Sequence, residues 1–373
     1  MKVYAMKLCE NKIRVLITST NFEAKGGITI LHQVLFGQII QNRFGVIVFP
    51  ISSPNPFNER LNSRIYRLIG CVKHFYSLLI KDKSLGIVHI NSSYDTKGIV
   101  RDLFFIIVSW WVGRKIILQI HSEIDFNKYP KTIKWIARQV FPLSNKILVF
   151  SKNDMKKIEM LAPKEKIEIL QNAVKVDDFT SKDKSFKKDL SIPEHGEVIL
   201  FLSRLIKEKG VYDLIESITT VAKDYKNVYF IIAGEGPERN RMEMICKEKG
   251  IEKEVRFTGH INNKNLLKAY SCADIFVLPT YSEGMPMVIL EALAAGLPII
   301  TTPIGAIPDI IKDGINGFLI EPHSPKQLAE KILLLLHNED TKKRIGEANI
   351  QLAKEEYDVK VILNKLEQLY LSI

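Results

Sequence analysis

The chain has 373 residues, 46% hydrophobic and 25% charged, a soluble globular profile that excludes disordered and disulfide-stapled classes and predicts about two domains, since one compact core rarely holds so many residues. Its four cysteines, Cys9, Cys71, Cys246 and Cys272, form no Cys-x-x-Cys, which excludes a disulfide scaffold or zinc ribbon and predicts a reducing compartment. The net charge of +11 is uneven, with 31 Lys and Arg against 16 Asp and Glu in residues 1–190 and 22 against 26 in the rest, so the first half is expected to face an anionic partner (nucleic acid, a membrane surface or a phosphorylated substrate) unless its charge merely solubilises.

The amino terminus, MKVYAMKLCENKIRVLITS, has charge on both sides of every short apolar run and is not expected to be a signal peptide. The expected location is the cytoplasm. IRVLITS is a β-branched run, GGITILHQVLFGQII has helical spacing, and GVIVFP returns to strand character. Gly86 to Asn91, Lys115 to Ile120 and Lys146 to Ser151 are further strands separated by helix-length segments. Leu103 to Gly113 is very apolar but falls short of the roughly 20 residues a bilayer span needs. Thr180 to Glu197 breaks the alternation with charge, Ser and Pro and reads as a linker. The pattern then restarts with VILFLS, VYFIIAGEG, EVRFTG, DIFVLP and LPIITT. Short buried strands alternating with helices predict parallel sheets covered on both faces. The expected organisation is a first domain over 1–179, a linker over 180–196 and a second domain over 197–357. An amphipathic last segment, 358–373, is expected to return to the first domain as a helix.

Ligands of such sheets bind just beyond the carboxyl ends of strands. In YSEGMPMVILEALAAG, Gly284 and Pro286 suit a strand-to-helix turn whose free amides and helix dipole make an anion site near Gly284, Met285, Pro286 and Met287. Glu291 stands alone in an apolar run. Burying an unpaired carboxylate costs several kcal/mol, roughly, so it must find a partner or be neutral. A vicinal diol would supply two donors, which points to a ribose on Glu291 and sugar hydroxyls on Glu283. SRLIKEKG sets Arg204 and Lys209 after a strand, two cations suited to a departing diphosphate. Gly26 and Gly27 lie between the first strand and its helix, where a backbone can approach a phosphate. His121 ends a strand, whereas His89 and His74 lie within a strand and a helix. No Gly-x-Gly-x-x-Gly follows a strand and no Asp-x-Asp occurs. An NAD-dependent oxidoreductase and a diphosphate-bridging metal are therefore not expected.

FLSRLIKEKGVYDLIES, IIAGEGPE, VRFTGHINNKNLLKAYSCADIFVLPTYSEG and EGMPMVILEALAAGLPII, in this order, resemble the retaining nucleotide-sugar glycosyltransferases of family 4. The resemblance implies the GT-B fold, two Rossmann-like parallel-sheet α/β domains facing across a cleft. It implies a hexosyltransferase that needs no metal or other cofactor, with a UDP-sugar favoured over a GDP-sugar as donor. Glu291 would hold ribose, Glu283 the donor sugar, Arg204 and Lys209 the pyrophosphate, and Gly26, Gly27, Gly259 and Gly284 to Met287 would line the donor. His121 matches the family's active-site histidine. LQNAVKVDDF carries Ala173 where the family usually has Gly. A sugar-nucleotide epimerase, or a non-catalytic membrane- or polyanion-binding protein with this fold, are the alternatives.

The expected acceptor is a hydroxyl of a glycan or lipid-linked glycan in bacterial surface polysaccharide synthesis, and nucleic acid is not an expected partner. Leu61, Ile65, Leu68, Val72, Phe75 and Leu79 recur at helical spacing beside Arg60, Arg64, Arg67 and Lys73. That stripe is expected to pack on the first sheet. Its basic rim, with Trp110 and Trp111, would rest on anionic lipid at the inner face of the cell membrane.

Overall fold

The structure, a computed structural model, describes residues 4–5, 13–19, 44–51, 61–92, 96–121, 129–180 and 183–373. Residues 1–172 with 359–373 form one compact unit and residues 173–358 a second. The helix expected from Gly26 onward lies outside the described residues.

The first unit holds strands β1 (Tyr4–Ala5), β2 (Ile13–Ser19), β3 (Phe44–Pro50), β4 (Leu85–Ser92), β5 (Lys115–Ile120), β6 (Lys146–Val149) and β7 (Ile167–Ile169), in the order β1-β3-β2-β4-β5-β6-β7. β1 is a two-residue antiparallel edge; the other six strands are parallel. Val15, Leu16 and Ile17 are buried in succession, as expected for a parallel sheet covered on both faces. Helices α1 (Leu61–Lys81), α2 (Thr96–Trp111), α3 (Lys131–Val140) and α4 (Lys152–Ile158) connect the strands. Ser151 caps α4, its Oγ accepting from the Asp154 amide at 3.0 Å. Phe75 of α1 packs on Phe49 of β3 and Phe105 of α2, with ring centroids 5.3 and 4.5 Å away.

The last helix, α13 (Val359–Leu371), belongs to this first unit. His89 of β4 holds it. Gln119 Oε1 accepts from His89 Nε2 at 3.0 Å, which leaves Nδ1 to accept from the Tyr370 hydroxyl at 2.7 Å. Tyr370 also meets Phe44 edge to face at 5.3 Å.

The second unit has strands β8 (Glu197–Leu202), β9 (Val228–Ala233), β10 (Val255–Gly259), β11 (Ile275–Leu278), β12 (Ile299–Thr301) and β13 (Phe318–Leu319), all parallel, in the order β10-β9-β8-β11-β12-β13. Its helices are α5 (Ser185–Asp189), α6 (Val211–Asp224), α7 (Arg239–Glu248), α8 (Asn263–Cys272), α9 (Met287–Ala294), α10 (Ile307–Ile310), α11 (Pro325–Leu336) and α12 (Glu339–Leu352). From β8 the chain builds outward through β9 and β10 on one side, then returns to place β11 on the other. The strand order therefore reverses between β8 and β11, and open α/β sheets bind ligands beyond the carboxyl ends of such a pair.

The stretch 180–196, read as a linker, lies within the second unit, and the boundaries fall at 172/173 and 358/359. Two apolar anchors explain the difference: Phe186 on α5 and Ile192 are both buried. Lys187, buried beside them, donates from Nζ to the carbonyl of Gly196 at 2.7 Å. Its polar composition disguised a packed segment.

Candidate functional site

The loop after β8 is tied to its neighbours through backbone bonds. Ser203 N donates to Ala233 O at 3.1 Å and Leu205 N to Glu235 O at 2.9 Å. Gly210, at φ 67°, starts α6, and a Cβ there would lie 1.8 Å from Pro279 O. Only glycine permits that approach. Lys209 is thereby set against the loop that follows β11, where Tyr281 N donates to Glu208 O at 2.7 Å and Thr280 Oγ1 to the same carbonyl at 3.1 Å.

Lys209 Nζ donates to Ser282 O at 2.9 Å and to Glu283 Oε1 at 2.5 Å. The two side chains are only 9% and 14% exposed. A buried ion pair survives desolvation when geometry and further hydrogen bonds compensate it, and the Ser282 carbonyl supplies one. An ammonium has three N–H bonds, so one is left for a ligand. Burial pushes the Glu283 carboxyl above its ordinary range, opposed chiefly by the Lys209 charge and hydrogen bond and then by the Arg204 charge. Arg204 itself is exposed. The pair follows the two strands that flank the reversal of strand order.

Pro286 is the N-cap of α9, at ψ 123°, and no side chain caps the helix. Its first-turn amides and dipole suit an anion. Gly284 and Met285 form the approach, Gly284 O accepting from Ala306 N at 2.8 Å. Glu291 lies on the same helix, and Tyr270 of α8 donates to its Oε2 at 2.8 Å. Burial pushes the Glu291 carboxyl up to about 7, against the lowering effect of Tyr270. The partner required by burial is a tyrosine hydroxyl. Gly259 ends β10 at φ 69°.

His121, in the first unit, follows β5. Asn91 Nδ2 donates to Thr18 O at 2.7 Å, so its Oδ1 faces His121 and accepts from Nε2 at 2.6 Å. This fixes the proton of the neutral ring on Nε2. Gly26 and Gly27 lie outside the described residues. Of the residues singled out from sequence, the structure brings together Lys209 and Glu283 with the Arg204 charge acting on them, places Glu291 and Met287 on α9, and holds His121 in the other unit. Tyr270, Thr280 and Asn91 were not singled out. Tyr270 alone had a signal, a large aromatic facing inward in a helix that also has to satisfy its hydroxyl.

Residues 182–352 match the family described as glycosyl transferases group 1. The chain is 30% identical over 172 residues to a glycosyltransferase, MJ1607, of Methanocaldococcus jannaschii, an alignment that covers 45% of this chain and 44% of that one. The chain therefore spans less than half the length of that relative. It is 23% identical over 278 residues to the alpha-D-kanosaminyltransferase of Streptomyces kanamyceticus, covering 70% of this chain and 72% of the other. The Anabaena HepE structure in complex with UDP superposes with a TM-score of 0.78 at 17% identity, over 97% of this chain and 100% of that chain; HepE has also been solved with UDP-glucose. The fold is GT-B. The match to the glycosyl transferases group 1 family is confined to residues 182–352.

Proposed function

We propose that the chain transfers a hexose from a UDP-sugar to a hydroxyl of a glycan or lipid-linked acceptor, with retention of configuration and without a metal. The observation that carries this reading is the Lys209–Glu283 pair at the reversal of strand order, with Glu291 on the helix that follows. Arg204 and the third N–H of Lys209 would take the negative charge that grows on the departing diphosphate. At an effective dielectric of about 20, one charge pair at 4 Å is worth roughly 4 kcal/mol. The first turn of α9, with Gly284, Met285, Pro286 and Met287, would receive phosphate oxygens, and Gly259 would let the backbone approach the donor. Glu283, steadied by Lys209, would accept from hydroxyls of the donor sugar. Glu291 would accept from the ribose diol. For His121, Gly26 and Gly27 a part in donor binding rests on the family resemblance alone. The choice of UDP is supported by the HepE complexes, and retention by the family match over residues 182–352.

Calorimetric titration with UDP, GDP and ADP tests the reading, together with UDP release from UDP-glucose. Preference for UDP, lost at least tenfold in Glu291→Ala, is the expected result. Failure of every nucleotide to bind, or unchanged UDP affinity in Glu291→Ala, would remove it.

A further inference from the structure

The first unit carries an apolar face that its own core does not use. On α2, Val100, Phe104, Ile107 and Trp111 are exposed and recur four, three and four residues apart, a single helical stripe. The opposite side of the same helix, with Leu103, Phe105 and Ile106, is buried in the core. On α1, Tyr66, Ile69, Tyr76 and Ile80 are exposed, and exposed Lys73 fills the gap between Ile69 and Tyr76. Tyr76 stacks on Trp111 with ring centroids 5.7 Å apart, so the two stripes join. α3 also packs against α2 and adds Trp135 and Ile136, both exposed. Contiguous apolar surface of this kind marks an interaction site.

Charge selects the occupant. Across α1, α2 and α3 the sequence has nine Lys and Arg and one acid, Asp102. Asp102 is buried and paired with Arg101 at 2.7 Å. A second copy of the chain docked by this face about a two-fold axis would set these like charges against one another. An anionic bilayer complements them, and Trp and Tyr favour the headgroup level, where a ring can bury its body and keep its polar edge wet. α2 has 16 residues, about 24 Å at a helical rise of 1.5 Å, short of the roughly 30 Å hydrocarbon core. No helix among the described residues is long and apolar enough to cross a membrane.

We infer that the outer face of α1, α2 and α3 lies in the headgroup region of an anionic bilayer, with Phe104, Ile107, Trp110 and Trp111 inserted and Lys73, Lys81, Lys131 and Arg138 on lipid phosphates. This face differs from the stripe of Val72, Phe75 and Leu79, which turns toward the core. The inference stands apart from sugar transfer, because binding to lipid needs no donor.

The chain has three tryptophans, and all of them, Trp110, Trp111 and Trp135, lie on this face at 55%, 70% and 66% exposure. Their emission is a direct probe. With phosphatidylglycerol vesicles at low salt the full chain should show a blue shift, and brominated lipid should quench it. Phosphatidylcholine vesicles or molar salt, where the Debye length falls to about 3 Å, should weaken binding at least tenfold. Phe104→Glu and Trp111→Glu should each weaken vesicle binding at least tenfold and leave UDP affinity unchanged. Unchanged emission with phosphatidylglycerol, equal binding to both lipids, or a lipid-free dimer with blue-shifted emission that ignores vesicles would each overturn the inference.

Discussion

Tyr270 donates its hydroxyl hydrogen to Glu291 Oε2 at 2.8 Å, yet the Glu291 carboxyl is pushed up to about 7. One hydrogen bond does not replace the water that burial removes. Two further donors from a ribose diol would favour the carboxylate, so nucleotide binding should release protons near pH 7. UDP titrations in two buffers of different ionisation enthalpy measure that release. The affinity should fall as pH is lowered from 8 to 6, approaching tenfold per unit below the folded pKa. No proton release and a flat pH profile would show that Glu291 does not meet the ribose.

The same shift has a stability consequence of definite sign. Below the ordinary value of 4.5 Glu291 is protonated in both folded and unfolded chains, so it contributes no penalty. Between 4.5 and about 7 the unfolded chain ionises first, and above about 7 the folded state bears the full cost, on the order of 3 kcal/mol at 1.36 kcal/mol per unit. Glu291→Gln should therefore raise the Tm of the nucleotide-free protein at pH 8, with the gain shrinking toward pH 5. A gain independent of pH would place its origin elsewhere.

Lys209→Met removes the cation from a carboxylate that is 14% exposed. The expected loss is about 3 kcal/mol in denaturant unfolding, and the Glu283 carboxyl should rise further. Lys209→Met with Glu283→Gln removes both charges and should recover much of that stability without recovering sugar transfer. If the double variant is no more stable than Lys209→Met alone, the pair is not coupled as its geometry indicates.

Lys209 and Glu283 are 74 residues apart, and only the adjacency of β8 and β11 brings them together. Their strand-end positions were legible from the alternation of apolar runs, but a contact between them requires the strand order, which periodicity does not encode. Tyr270, 21 residues from Glu291 on another helix, escaped for the same reason. β1 escaped because two residues carry no period. Residues 180–196 misled because Lys, Asp and Ser dominate their composition while Phe186 and Ile192 anchor them. The sequence places one helical stripe in α1, Leu61, Ile65, Leu68, Val72, Phe75 and Leu79, of which Val72, Phe75 and Leu79 turn toward the core, while the side chains of Leu61 and Ile65 lie outside the described residues. The exposed series from Tyr66 to Ile80 interleaves with it at the same spacing, and sequence alone does not say which of two apolar series faces the core.

Arg204 is exposed, so Arg204→Ala should change the unfolding free energy by no more than about 0.5 kcal/mol while slowing UDP-sugar turnover at least tenfold, because its charge matters most as the diphosphate departs. Excess EDTA should leave turnover unchanged, since Arg204 and Lys209 supply the positive charge. Loss in EDTA that manganese restores would transfer that role to a metal.

Gly305 and Gly250 separate backbone strain from contact with the site. Both have positive φ, 61° and 68°, but a Cβ on Gly250 would meet nothing within 4 Å, whereas one on Gly305 would lie 2.2 Å from Glu283 O and 2.5 Å from Gly284 O. Gly250→Ala bears only the left-handed conformation, about 1–2 kcal/mol. Gly305→Ala bears that cost and must also push the Glu283–Gly284 backbone away, which shifts the carboxylate held by Lys209. UDP-sugar turnover should therefore fall at least tenfold in Gly305→Ala and stay near wild type in Gly250→Ala, with both Tm values lowered. Equal turnover in the two variants would mean that the Glu283 loop tolerates displacement, and Glu283 would lose its place as the residue that positions the donor sugar.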